Sequence, residues 1–431
     1  MNYDEWPTED EWHISEEPKD ANGHSSGSVF PLTERGFAEL LETIQVEIVY
    51  DVRSRRSWYR DRALSPQWED MTDRVEAGLR QQMSESAMCQ DGRTTKQKLR
   101  PWRPADADWR QFLTAHQRNH EVDLFTEWLD TLPPWDEHAR IDVALEHCFR
   151  LDPAMRPLTA WVSSYLFGGA VMRALRPGCK LDVMPILVGP QGCGKSTFLR
   201  ELLPPNQFRD SWYTDRLNLG ASDQKRAEAL QGRVIVEVGE MAGLKRAELE
   251  DAKMFLTSTD DGAVRLAYRR NPEPSPRRCI LVGTANPNEP IPADSTGHRR
   301  FAAVDVASTE GMDAWDHTER LVDWLARSRE QLWAEALAKV RGGWDPRLPK
   351  EAAPLQAQAN SPHVHVDEVM LDRVQASALL SSGGPLRMVD LAADVIGAQS
   401  SSWEQRRLAD ALRSLGWERR RRSAGVVWVR P

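Results

Sequence analysis

Apolar and polar side chains alternate over Ile44, Gln45, Val46, Glu47, Ile48, Val49 and Tyr50, the period of two expected of a half-buried β-strand. Residues 121–132 read as a helix closed by Pro133 and Pro134. Between 158 and 341 the pattern changes. Apolar runs at 183–188, 233–238 and 278–283 alternate with helical stretches, which predicts a parallel α/β sheet. Residues 1–28 carry no periodic apolar pattern and read as a disordered tail. The Trp-rich stretch 29–157 reads as mostly helical with a few strands. After Gly342 and Gly343, a segment rich in Pro, Ala and Gln reads as a linker reaching to about 365. Two or three helices then precede two short strands around a turn at Gly425, the pattern of a winged-helix module over 366–431. No internal repeat is found.

The chain has 431 residues, 40% of them hydrophobic, and a mean hydropathy of -0.57. That is enough for two or three domains with a sizeable core and points to a soluble protein. No stretch approaches the roughly 20 apolar residues of a membrane span, and the first residues do not read as a secretion signal. Five scattered cysteines without a Cys-x-x-Cys pair fit a reducing cytoplasm better than a zinc or disulfide framework. The net charge of -9 is unevenly distributed. Residues 1–28 hold eight acids and one lysine, whereas 400–431 hold eight arginines against three acids. The basic C-terminal end is therefore hidden in the whole-chain value.

Candidate chemistry is concentrated at Gly189, Pro190, Gln191, Gly192, Cys193, Gly194, Lys195 and Ser196, which follow an apolar run and lead through Thr197 into a helix-like stretch. This is a phosphate-binding loop in a strand-loop-helix setting. The glycines let backbone N–H groups turn toward an anion, Lys195 reaches the outer phosphates, and Ser196 offers a hydroxyl to Mg²⁺. The chain is expected to bind a nucleoside triphosphate with Mg²⁺.

Hydrolysis also needs an acid beside the metal and a group that orients water. Glu237 ends an apolar run and is assigned to the Mg²⁺ side; Glu240, past a glycine, would orient the water, although the two roles could be exchanged. Asn286 ends the third run, where its amide could meet the γ-phosphate or the water. Arg299 or Arg300 could stabilise transition-state charge in a neighbouring subunit's site; a surface ion pair is the plainer alternative.

The loop GPQGCGKS, the acidic strand VIVEVGEM, GTAN and DSTGHRRF occur in that order. Together with Leu132-Pro-Pro-Trp-Asp136, the Pro177–Lys180 segment PGCK and the Gln331–Ala336 segment QLWAEA, they resemble the virulence-associated protein E family over roughly residues 120–345. The resemblance implies a P-loop NTPase core similar to superfamily 3 helicases of the AAA+ class, an α-rich N-terminal region and a C-terminal winged helix. It further implies a ring-forming, hexameric, ATP-driven DNA helicase that acts in replication of a phage or other mobile element. Ala267 stands where the family has proline, and His298 where Asn is commoner.

Residues 264–278 carry Arg265, Tyr268, Arg269, Arg270, Arg277 and Arg278. In a ring helicase this position would project into the pore, with arginines on phosphates and the tyrosine on a base; a solvated, proline-broken surface loop is the alternative. At the C-terminus, Arg406 and Arg407 on a helix and Arg419, Arg420, Arg421 and Arg422 on a strand suggest duplex contact, although consecutive strand residues alternate between faces. A switch that binds DNA and recruits replication proteins without unwinding would need the same nucleotide site and DNA surface.

Overall fold

The structure is a computed structural model that describes residues 29–90, 99–239, 254–261, 275–287, 300–360, 368–381, 384–397, 405, 408–409, 411–412, 415–422 and 425–430. Near the start of the chain, helix Glu34–Thr43 is capped by the Thr33 side chain and buries Phe37, Leu40 and Leu41. The alternating segment forms β1 (Val46–Asp51), antiparallel to β2 (Arg56–Asp61), with β3 (Glu69–Asp70) beyond it. A separate hairpin joins β4 (Met88–Gln90) to β5 (Leu99–Pro101). Around these elements a small core gathers Phe37, Met83, Trp102, Trp109 and Phe112; Phe37 meets Trp109 edge-on at 5.3 Å.

The helix expected from 121 begins later. Glu121 and Val122 form β6, parallel to β1, and Asp123 caps helix Leu124–Asp130 by accepting from the N–H groups of Phe125 and Thr126. An aspartate at this position satisfies N–H groups that have no partner in the first turn, so the backbone stays extended up to 123.

The main sheet has five parallel strands: β7 (Met184–Val188), β8 (Tyr213–Thr214), β9 (Ile235–Val238), β10 (Ile280–Ala285) and β11 (Phe301–Asp305). Their order is β11-β7-β10-β9-β8. Helices cover a parallel sheet on both faces, which explains why β7, β9 and β10 are buried at every position. Helix Arg156–Leu175 is buried over most of its length. Helix Ala314–Arg341 adds Trp333, whose ring packs 5.4 Å from Phe125 and 5.2 Å from Phe167.

Long-range polar ties join these parts. Arg53, 4% exposed, pairs with Asp123 and donates to the backbone oxygens of Arg233 and Arg278 just before β9 and β10. Arg278 binds the same carboxylate at 2.9 Å. Burial opposes ionisation of Asp123, but the guanidiniums of Arg53 and Arg278 hold its carboxyl below the usual range. The turn after β1 and the cap of helix Leu124–Asp130 are thereby fastened to the N-terminal ends of β9 and β10.

Two of the short motifs also meet across the chain. Gln331 accepts from Asp136 N–H and donates to the Pro134 carbonyl, while buried Glu335 accepts from the N–H groups of Arg140 and Ile141.

Part of the expected linker is instead helix Ala353–Asn360, packed on the edge strand β11. Buried Asn360 accepts from Ala303 N–H and donates to the Phe301 carbonyl, and Gln356 donates to that same oxygen. Two amide side chains thus satisfy part of an edge that a polar linker would leave open.

A third core lies in the C-terminal part, where Met370, Val374, Leu391, Leu408, Leu412, Trp417 and Trp428 come together. The hairpin β12 (Glu418–Arg422) and β13 (Gly425–Val429) is antiparallel, and Leu386 bridges to Trp428.

Candidate functional site

Strand β7 delivers the chain to the loop at the C-terminal end of the sheet, where the strands of open α/β folds present their ligand sites. Gly194 takes φ 85° and caps helix Lys195–Glu201 without a side-chain hydrogen bond, leaving first-turn N–H groups available. A Cβ on Gly189 would run into the Val306 carbonyl, so this position requires glycine. Lys195 folds back over its own loop, donating to the carbonyls of Gly189 at 2.6 Å and Pro190 at 3.0 Å. Cys193 is buried within 3.9 Å of that ammonium; burial pushes its thiol up, against the pull of Lys195.

Glu237 is the one acid within β9 and is 4% exposed. Its Oε1 accepts from the hydroxyls of Ser196 and Thr284, each at 2.7 Å, and its Oε2 from the phenol of Tyr213. Three hydroxyls from three segments therefore orient one carboxylate. Burial, then the neighbouring Glu237 carboxylate, raise the Tyr213 phenol far above its ordinary value, so it remains a donor. Asn286 follows β10 directly, and the Ala285 carbonyl accepts from Gly189 N–H at 3.1 Å. Ser196, Glu237 and Asn286 thus converge at one end of the sheet.

On the other side of the loop, the buried His317 of helix Ala314–Arg341 accepts from Thr309 N–H at Nδ1. That bond places the proton on Nε2, which faces the Cys193 carbonyl at 3.2 Å. Burial keeps this imidazole below its ordinary pKa.

Arg300 lies at the opposite end. Its carbonyl accepts from Met184 N–H at the start of β7, and the five residues of β7 separate it from the loop by roughly 16 Å. Its side chain cannot bridge that length within one chain. Glu240, Arg299, Arg265, Tyr268, Arg269, Arg270, Arg406 and Arg407 lie outside the described residues.

Two arginines read above as pore-facing have other partners. Arg277 is fully buried, pairs with Asp261 at 2.6 Å and donates to the Phe255 carbonyl; Arg278 is held by Asp123. They brace the start of β10. Arg419, Arg420 and Arg421 are exposed on β12, with Arg420 bound to Glu418; of Arg422 only the backbone is described.

Thr284 lies inside the GTAN motif, but its contact with Glu237 depends on β10 lying beside β9. Tyr213 and His317 carried no signal in the sequence. Both act across contacts that only the fold creates.

The architecture is a mixed α/β protein with a parallel sheet whose glycine-rich turn, after β7, faces an acid on β9, two strands along with β10 between. The chain belongs to the family of the virulence-associated protein E-like domain, which it matches over residues 129–365, more than half its length. That span includes the edge-covering helix Ala353–Asn360. Among solved structures, it is similar to the A-form apo structure of the NrS-1 C-terminal region, residues 305–718, with 12% identity, TM-score 0.46 and coverage of 92% of this chain and 99% of that one. A second A-form apo structure of the NrS-1 C-terminal region gives 13% identity, a TM-score of 0.45 and coverage of 91% and 98%. No curated protein matches.

Proposed function

We propose that this chain is a P-loop ATPase that works as a DNA helicase in the replication of a phage or other mobile element. The observation that carries the reading is the contact of Ser196 with Glu237 at 2.7 Å. It joins the glycine-rich loop to an acid 41 residues away, as magnesium-dependent phosphoryl transfer requires. The donor set suits Mg²⁺, a hard cation that prefers oxygen ligands. Ser196 and Glu237 would hold the ion, which neutralises phosphate charge when bound. Lys195 would leave its loop carbonyls for the outer phosphates. Asn286 would orient the γ-phosphate or water, and Glu240 would polarise the attacking water.

The place of Arg300 favours assembly. If Arg300 is the finger, an arginine roughly 16 Å from its own loop could serve only a neighbour's site. This supports a ring, proposed as a hexamer. Arg265, Tyr268, Arg269 and Arg270 are proposed to face DNA in the pore. Arg406, Arg407, Arg419, Arg420, Arg421 and Arg422 would contact duplex from a winged-helix module, with Arg420 contributing less because of Glu418.

The test is unwinding of forked DNA with ATP, run beside ATPase measurements with and without single-stranded DNA. Strand separation that requires hydrolysis is expected. Hydrolysis and DNA binding without strand separation would replace the helicase by an ATP-switched DNA-binding protein.

A further inference from the structure

Trp315 is 79% exposed, a large aromatic ring set in solvent beside the candidate phosphate loop. Its backbone is fixed: Asp313 caps helix Ala314–Arg341 and accepts from Trp315 N–H at 2.8 Å. The preceding residue approaches the loop so closely that a Cβ on Gly192 would stand 3.9 Å from that of Ala314. His317 reaches the Cys193 carbonyl, and a Cβ on Gly194 would lie 3.4 Å from Leu321. Ala314, His317 and Leu321 therefore form the stripe that seats the loop. Trp315 stands about 100° further round the same turn, bordering the loop rather than lying under it.

We propose that Trp315 is the stacking platform for the base of a nucleotide whose phosphates lie on residues 189–196. The proposal rests on the nucleotide-binding reading given above. A base is tied to its phosphates through one sugar, so it must settle next to the loop. The first turn of this helix is the part of the described structure that borders it with an exposed aromatic face. Met312, 38% exposed, adds apolar surface one turn earlier, where the Thr309 carbonyl accepts its N–H and tightens the approach to the helix. Stacking on an aromatic ring needs no hydrogen-bond pattern, and every base has a π-face. The platform should accept different bases and favour the larger purines.

Calorimetric titration of the full chain with Mg²⁺–ATP analogue and with Mg²⁺–tripolyphosphate separates base from phosphate recognition. Trp315→Ala should weaken the nucleotide about tenfold or more while tripolyphosphate binds as to wild type, and Trp315→Phe should recover most of the loss. Equal weakening of both ligands, or none, would overturn the platform. So would a change in subunit association on sedimentation, which would assign the ring to a contact between copies. Wild-type protein that binds neither ligand would refute the nucleotide-binding reading itself, a result distinct from a variant that merely fails to discriminate.

Discussion

Tyr213→Phe removes one oxygen and leaves the ring, so its effect can be worked from a single contact. Tyr213 donates to Oε2 of Glu237, while Ser196 and Thr284 both occupy Oε1. The variant takes away the hydroxyl that holds the second carboxylate oxygen in a site only 4% exposed. A hydrogen bond to a charged group is worth about 1.5–3 kcal/mol, or about tenfold to a hundredfold in an equilibrium constant. If the proposed metal-side role of Glu237 is right, that amount should appear as a shift in magnesium demand. The Mg²⁺ concentration for half-maximal ATPase should rise about tenfold or more, and Mg²⁺-dependent nucleotide binding should weaken in parallel. Because the phenol remains protonated well above neutrality, the difference from wild type should be flat between pH 6 and 9. A folded variant whose magnesium requirement stays within twofold of wild type would refute the reasoning and reduce Tyr213 to packing at the sheet edge.

Asp123→Asn should destabilise the protein by about 3–5 kcal/mol in denaturant titrations, since it leaves Arg53 and Arg278 without their shared carboxylate. The native carboxyl is held below its ordinary pKa, so its contribution is complete at neutral pH and is lost as pH falls below about 4 and through the lowered value. The gap between wild type and variant should be constant from pH 8 to 5 and close in stronger acid; a gap that widens there would contradict the sign. Arg299→Ala and Arg300→Ala, each mixed with wild type at constant total concentration, should include one variant that depresses ATPase beyond its fraction. Proportional loss in both mixtures would reject a finger acting between subunits.

Local patterns carried the features that depend on near neighbours. Strand β1 follows from alternation, the parallel sheet from buried apolar runs, and the loop from glycines at positions where backbone must turn or approach closely. The family resemblance, read from short motifs in order, agrees with the match over residues 129–365. The errors fall where local and distant partners compete. Asp123 delays the start of the helix because its side chain caps the first turn and binds two arginines from other segments. A linker-like composition at 353–360 conceals a helix whose Gln356 and Asn360 satisfy an edge strand more than fifty residues earlier. Arg277 looked like a DNA contact because a run of arginines does not show which of them finds a buried aspartate.

The sequence by itself determined which segments could be strands and where a phosphate loop could form, because backbone preference and hydrophobic period act over a few residues. Tertiary structure decided what surrounds Glu237, which end of the sheet holds Arg300, and that His317 braces the loop. These relations depend on strand order and on contacts between segments tens to more than a hundred residues apart, a geometry that no local spacing encodes.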